Sequence, residues 1–189
     1  LLSRNDVGFD IETFSLEVDA FHARMQRRRT EYPHTMLATA THDHKRGEDL
    51  RARLAVISEL AADWTGFLSR HVDSTSSELT PGDLAMLLQM VVGAWPLDLQ
   101  RDDHAGRTAF AERLCGWQQK ALREAKLESD WAAVNETYEE AARTFTLRLI
   151  AEGAMPDFLD ELPAFVRRIA PAGAVNGLAS FVMRAERVG

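Results

Sequence analysis

The sequence predicts a mainly helical fold, and three observations carry that expectation. Apolar residues recur at spacings of three and four along almost the whole chain. Helix punctuation such as Thr80-Pro81-Gly82-Asp83 stands where these stripes begin and end. Only one segment, Thr35 to Thr41, reads as extended, with β-branched residues, no helical stripe and a proline before it. At most one short strand is therefore expected, near 35–41, and a lone strand needs a partner sheet that this chain does not supply.

Taken in order, Phe14, Val18, Phe21 and Met25 share one helix face, and Pro33 closes that segment. Leu50, Leu54, Ile57 and Ala61 mark a second helix, which Trp64, Phe67, Leu68 and Val72 continue or restart. Asp73 to Glu78 is a Ser/Thr-rich break and reads as a surface loop. Thr80 then caps a helix with Pro81 in its first turn and Asp83 near its positive end. That helix, to about Gly93 or Trp95, is apolar on most sides and so expected to be central. Phe110, Leu114, Trp117 and Ala121 mark the next. Tyr138, Ala142, Phe145 and Leu149 mark another, with Gly153 as its stop. Two further stripes close the chain: Phe158, Leu162, Phe165 and Ile169, then Val175, Leu178 and Val182.

Composition narrows the function. The 189 residues are 46% apolar and 27% charged, which suits a packed domain rather than a disordered tail. A net charge of −7 repels nucleic acid and anionic membranes, so neither is an expected partner. The most apolar stretch, Leu84 to Leu97, is shorter than the roughly 20 residues a membrane helix needs. A single cysteine, Cys115, excludes an intrachain disulfide and suits a reducing cytoplasm; its neighbours Leu114 and Trp117 make it a small core residue. Trp64, Trp95, Trp117 and Trp131 all fall near apolar stripes and are expected in the core. The chain has no initiator Met and stops straight after a helical pattern, which an excised segment of a larger protein would explain.

The densest polar cluster runs from Thr41 through His42, Asp43, His44, Lys45 and Arg46 to Gly47, Glu48, Asp49 and Arg51. It lies between the extended run and an amphipathic helix, a strand-end position where α/β barrels place catalytic groups. A carboxylate, an imidazole and two cations within five residues can bind a polyhydroxylated substrate and oppose a developing positive charge. The alternative is a charged loop that caps the helix beginning near Gly47.

The run from Met36 to Leu54, MLATATHDHKRGEDLRARL, resembles the signature of the maltooligosyltrehalose synthases, which typically reads MLATSTHDTKRSEDVRARL. The likeness continues along the chain. Asn5-Asp6-Val7-Gly8 is similar to the family's NEVGG, and Gly93-Ala94-Trp95-Pro96 to its GAWP. Lys120 to Lys126 matches KALREAK, with Trp131 and Asn135 to Glu139 following as in the family. Ala172 to Leu178 resembles AGAVNSL. His44 departs from the family's Thr, and Phe9 from its second Gly.

The resemblance implies a piece of an amylase-like (β/α)8 barrel enzyme, most of it a multi-helix insertion domain. Residues 1–34 would be an N-terminal helical segment, 35–49 the barrel strand end with its catalytic loop, and 50–189 the helical insertion. Asp43 would be the carboxylate that stabilises the transition state, and His42 its neighbour on the sugar. Lys45 and Arg46 would contact the sugar that migrates, while Glu48, Asp49 and Arg51 would form an ion-pair scaffold. The implied substrates are maltooligosaccharides, with no cofactor and no metal, and the implied partner is the remainder of the same polypeptide. No segment resembles the family's nucleophile or acid/base motifs, so this chain alone is expected to be inactive. Glu139-Glu140 reads as a solvated helix face instead.

Two other readings compete. A helical metal phosphohydrolase of the HD type would use His22, His42, Asp43 and Asp102 or Asp103, with His44 adding an H-x-H. A helical interaction module with an exposed aromatic patch would carry no catalysis at all.

Overall fold

The structure is a computed structural model that describes residues 16–35, 38, 40, 44–72 and 78–185. Seven α-helices follow one another among these residues: α1 (Val18–Glu31), α2 (Glu48–Ala55), α3 (Ala61–Val72), α4 (Pro81–Ala94), α5 (His104–Ala125), α6 (Glu136–Leu147) and α7 (Pro156–Ala185). A 3-10 turn, Val56–Leu60, joins α2 to α3, and a π turn, Arg148–Glu152, extends α6. No strand occurs among the described residues, and Thr35, Ala38 and Ala40 have no regular structure. The rest of the expected extended run, like most of the expected loop after Val72, lies outside them. None of the described helices is long and apolar enough to cross a membrane.

The helix ends follow the local chemistry. The Thr80 hydroxyl accepts from the Asp83 amide at 3.2 Å, with Pro81 where no donor is needed. Asp103 caps α5 through the Gly106 amide at 2.8 Å, and Asn135 caps α6 through the Tyr138 amide at 3.1 Å. Trp95 turns extended before Pro96 and ends α4. Gly153 closes the π turn with φ of +67°, a left-handed conformation that glycine adopts without penalty. Arg107, buried on α5, reaches that turn and donates to the Ile150 carbonyl at 2.8 Å.

The core is one continuous cluster centred on α4, whose Leu84, Leu87, Leu88, Val91 and Val92 are fully buried. Phe67 of α3 stacks with Trp64 and with Phe165 of α7, and Phe158 packs against it at 5.6 Å. On one side α2 lies along α7, and on the other α5 lies along α6. Gly93 permits the approach of α2 to α4, because a Cβ there would stand 2.9 Å from Leu50 Cγ.

The two closing stripes belong to one 30-residue helix, α7, which runs through Pro163 and Pro171. Each proline removes a backbone donor at a cost of about 3 kcal/mol, and burial of Leu159, Leu162, Val166 and Ile169 on the core offsets it. The second stripe is not core: Val175, Leu178, Phe181 and Val182 are exposed. Helix α1 carries Val18, Phe21 and Met25 of the first expected stripe, Phe14 lying outside the described residues, and none of its residues is buried.

Candidate functional site

Polar arrangements hold the helices to one another and to the segment before α2, among them those centred on Lys45, Glu139, Tyr138 and Arg70. The first bears on the expected site. Lys45 lies in the irregular segment just ahead of α2, and its carbonyl accepts the indole N–H of Trp117 at 3.1 Å. Its ammonium forms an ion pair with Glu124 and keeps 19% of the side chain exposed. Arg46 is only 5% exposed, and its guanidinium stands 5.7 Å from the centre of the Trp117 ring. Trp117 and Glu124 are seven residues apart on α5, two turns along one face. The loop therefore rests on a single stripe of α5.

The second arrangement centres on Glu139 of α6. Its carboxylate accepts from Arg123 Nε and Nη2 at 2.7 Å each, from Ser129 at 2.6 Å and from Gln119 at 3.0 Å. The Arg123 hydrogen bonds chiefly, helped by Ser129 and Gln119 and opposed by burial, hold this carboxyl down at about 2. The expectation of a solvated Glu139-Glu140 face is thus half right: Glu140 is exposed, Glu139 is 9% exposed. Arg123 also lies 5.0 Å from the Trp131 ring. Trp131 is 57% exposed, which corrects its expected place in the core; Trp64 and Trp95 are buried there, and Trp117 is half-buried against it.

In the third, Tyr138 of α6 donates its hydroxyl proton to Asp83 at 2.6 Å and accepts the Thr80 amide at 3.0 Å. Burial and the Asp83 carboxylate raise the phenol's pKa. In the fourth, Arg70 of α3 pairs with Glu161 of α7 at 2.7 Å, and His71 Nε2 lies 3.5 Å from the same oxygen.

Of the residues the sequence singled out, Lys45 and Arg46 come together on α5, whereas His42 and Asp43 lie outside the described residues. Glu48 and Asp49 occupy the first turn of α2, where their charge suits the helix dipole. Of the residues the metal reading would use, His42 and Asp43 lie outside the described residues, Asp103 caps α5 and His22 is exposed on α1; among the described residues no three His, Cys, Asp or Glu come within metal-binding reach. Trp117 and Glu124 were missed as loop contacts, because an apolar stripe and a charged repeat carry no sign of what lies opposite.

Fold and polar pairs together define an all-helical unit whose charged groups tie helix to helix and one irregular segment to α5. No protein-family model matches the chain. A curated protein of Mycobacterium tuberculosis H37Rv, named "Putative maltooligosyl trehalose synthase", is 30% identical over 175 residues, 93% of this chain. A solved maltooligosyltrehalose synthase from Arthrobacter ramosus superposes with a TM-score of 0.75 at 30% identity, over 96% of this chain and 22% of its own. Another crystal structure of a maltooligosyl trehalose synthase gives 0.83 at 26% identity, over 97% and 24%. The chain is a homologue of the maltooligosyltrehalose synthases across almost all of its own length, and it spans 22% of the length of the curated relatives it matches.

The motifs that resemble that family's are structural joints here. Gly93 and Trp95 pack α4 against α2, and the Trp95 carbonyl accepts from Arg53 at 2.9 Å. Within the KALREAK run, Arg123 holds Glu139 and Glu124 holds Lys45. Asn135, Tyr138 and Glu139 cap α6 and join it to α4 and α5. Gly173 and Asn176 seat α7 on α2.

Proposed function

We propose that the polypeptide carrying this chain converts the reducing-end α-1,4 bond of a maltooligosaccharide into an α-1,1 bond by intramolecular transglycosylation. The observation that carries the reading is the run from Met36 to Leu54, set in a chain whose relatives at 30% identity bear that enzyme's name. In this reading residues 35–49 form the barrel strand end and catalytic loop. Asp43 accepts hydrogen bonds from ring hydroxyls and opposes the charge of the oxocarbenium-like transition state. His42 binds the same sugar. Lys45, part of whose side chain is exposed, contacts the migrating glucose in this reading. Arg46 contacts the same sugar in this reading, with its guanidinium over the Trp117 ring.

The chemistry needs two displacements. A carboxylate nucleophile outside this chain breaks the α-1,4 bond and takes the glycosyl group, while an acid protonates the leaving oxygen. The freed glucose turns and attacks through its anomeric hydroxyl, whose proton passes back to the deprotonated acid as the glycosyl–carboxylate bond breaks; the nucleophile is restored and configuration retained. Water has to be kept out, or the intermediate is hydrolysed and glucose escapes. The chain by itself, lacking the nucleophile and the acid, is expected to be inactive.

The test is expression of the complete open reading frame with maltopentaose as substrate. Reducing ends should vanish with little free glucose, and Asp43→Asn should abolish this in a folded enzyme. Glucose released as fast as reducing ends change would make the parent a hydrolase.

A further inference from the structure

We infer that Trp117 and Glu124 of α5 are positioning residues for the segment that carries Asp43. The inference rests on the function proposed above. Lys45 follows Asp43 by two residues, so their Cα atoms are separated by at most about 7 Å. At Lys45 the backbone and the side chain are gripped by different groups of one helix: the indole N–H of Trp117 on the carbonyl, and the Glu124 carboxylate on the ammonium. Arg46 adds its guanidinium on the Trp117 ring. A buried indole N–H needs an acceptor, and the Lys45 carbonyl supplies it. Here the indole donates to the main chain of the loop, which fixes the loop's height above α5. The ion pair restrains its rotation.

Such a support matters because the alignment of a reacting carboxylate is steep in energy; a misplacement of about 1 Å can cost on the order of a hundredfold in rate. The segment has no sheet or helix of its own at Lys45 and Arg46 to resist displacement. At Lys45 and Arg46 it is held on α5, a 22-residue helix whose other face is packed in the core.

The experiment uses the complete enzyme with maltopentaose, comparing wild type, Glu124→Gln, Trp117→Phe and, as reference, Asp43→Asn. Trp117→Phe keeps a ring beneath Arg46 and removes only the donor. Both positioning variants should lower kcat at least about tenfold, leave KM within about threefold and raise the share of glucose released. Melting temperatures should stay within a few degrees of wild type. A loss of melting temperature with kcat per folded enzyme unchanged would overturn the inference, leaving the two residues as scaffold. A rise in KM alone would also overturn it, since that marks lost substrate binding. Should Trp117→Phe fail to fold, Glu124→Gln decides, because its side chain is partly exposed and its volume is retained. If wild type forms no trehalose unit, or Asp43→Asn is fully active, the proposed function itself has failed, a result separable from all of these.

Discussion

Gly173 of α7 meets the backbone of α2 at Arg53 so closely that a methyl group on it would stand 2.8 Å from the Arg53 Cα and 3.1 Å from its Cβ. Backbone cannot swing aside as a side chain can, so the contact sets how far α7 can approach α2. Asn176, less than one turn further on, donates to the Ala52 carbonyl at 3.3 Å along the same seam. Arg53 in turn donates to the Trp95 carbonyl at the end of α4, so one residue of α2 registers two other helices.

Gly173→Ala should therefore destabilise the chain although alanine is the better helix former. Overpacking typically costs about 1–3 kcal/mol, against a propensity gain of about 1 kcal/mol. Gly116→Ala is the control, for it lies in mid-α5 with open space around its Cα and should stabilise by about 0.5–1 kcal/mol. Urea unfolding of the two variants beside wild type checks both signs. A stabilised Gly173→Ala protein would mean that α7 can shift off α2 without loss.

Acid should expose the Glu139 network. Its folded-state pKa, about 2, lies below the ordinary carboxylate value of 4.5. A depressed carboxyl contributes stability above its unfolded pKa and loses it as pH falls through the folded one. The window is thus roughly pH 5 to 2, and the contribution is on the order of 2–3 kcal/mol. Glu139→Gln should be destabilised at pH 7 by about that amount, and the difference from wild type should shrink towards pH 2. Asp63, Asp130 and Glu161 are also depressed, by Arg168, by the amides of Ala133 and Ala132, and by Arg70 respectively. They act in both proteins and cancel from the difference. A gap independent of pH would place the effect in packing rather than charge.

Tyr138→Phe should cost about 1–2 kcal/mol, since it leaves the Thr80 amide and one oxygen of Asp83 without the phenol. The loss should be localised. Hydrogen exchange should quicken at the first turn of α4, where the Thr80 cap works, and stay unchanged in α7. Uniform acceleration across the chain would instead indicate a global change.

Cys115 is 5% exposed, and burial, the largest influence on it, raises its thiol pKa. Both features withhold the reactive thiolate. At pH 8 it should react with an aromatic disulfide reagent far more slowly in the native protein than in urea, by at least about a hundredfold. Rapid labelling of the native chain would show that α5 and α6 part readily, because the thiol faces the Arg143 carbonyl of α6 at 3.8 Å.

Much of the fold is legible in the sequence because helices are governed by local rules. The period of Leu50, Leu54 and Ile57, the cap at Thr80-Pro81 and the stop at Gly153 each act within one or two turns. The run around Asp43 is legible for a different reason: its order of residues resembles a family's, and the relatives that match the chain carry that family's name.

Tertiary structure decided what stands opposite each face. Periodicity marks Glu139 as polar, but only the approach of α5 brings Arg123 and Gln119 to bury and ionise it. The same pattern places Trp131 beside an apolar stripe, yet it is left 57% exposed with the Arg123 guanidinium on its ring. Pro163 and Pro171 are breakers by local rules, and α7 runs through them because its buried side chains outweigh two lost donors. Composition and spacing set which residues could form a helix and which of its faces were apolar. Whether a charged or aromatic side chain became a joint, a loop support or a surface depended on partners distant in sequence, since burial and pairing are properties of the packed chain.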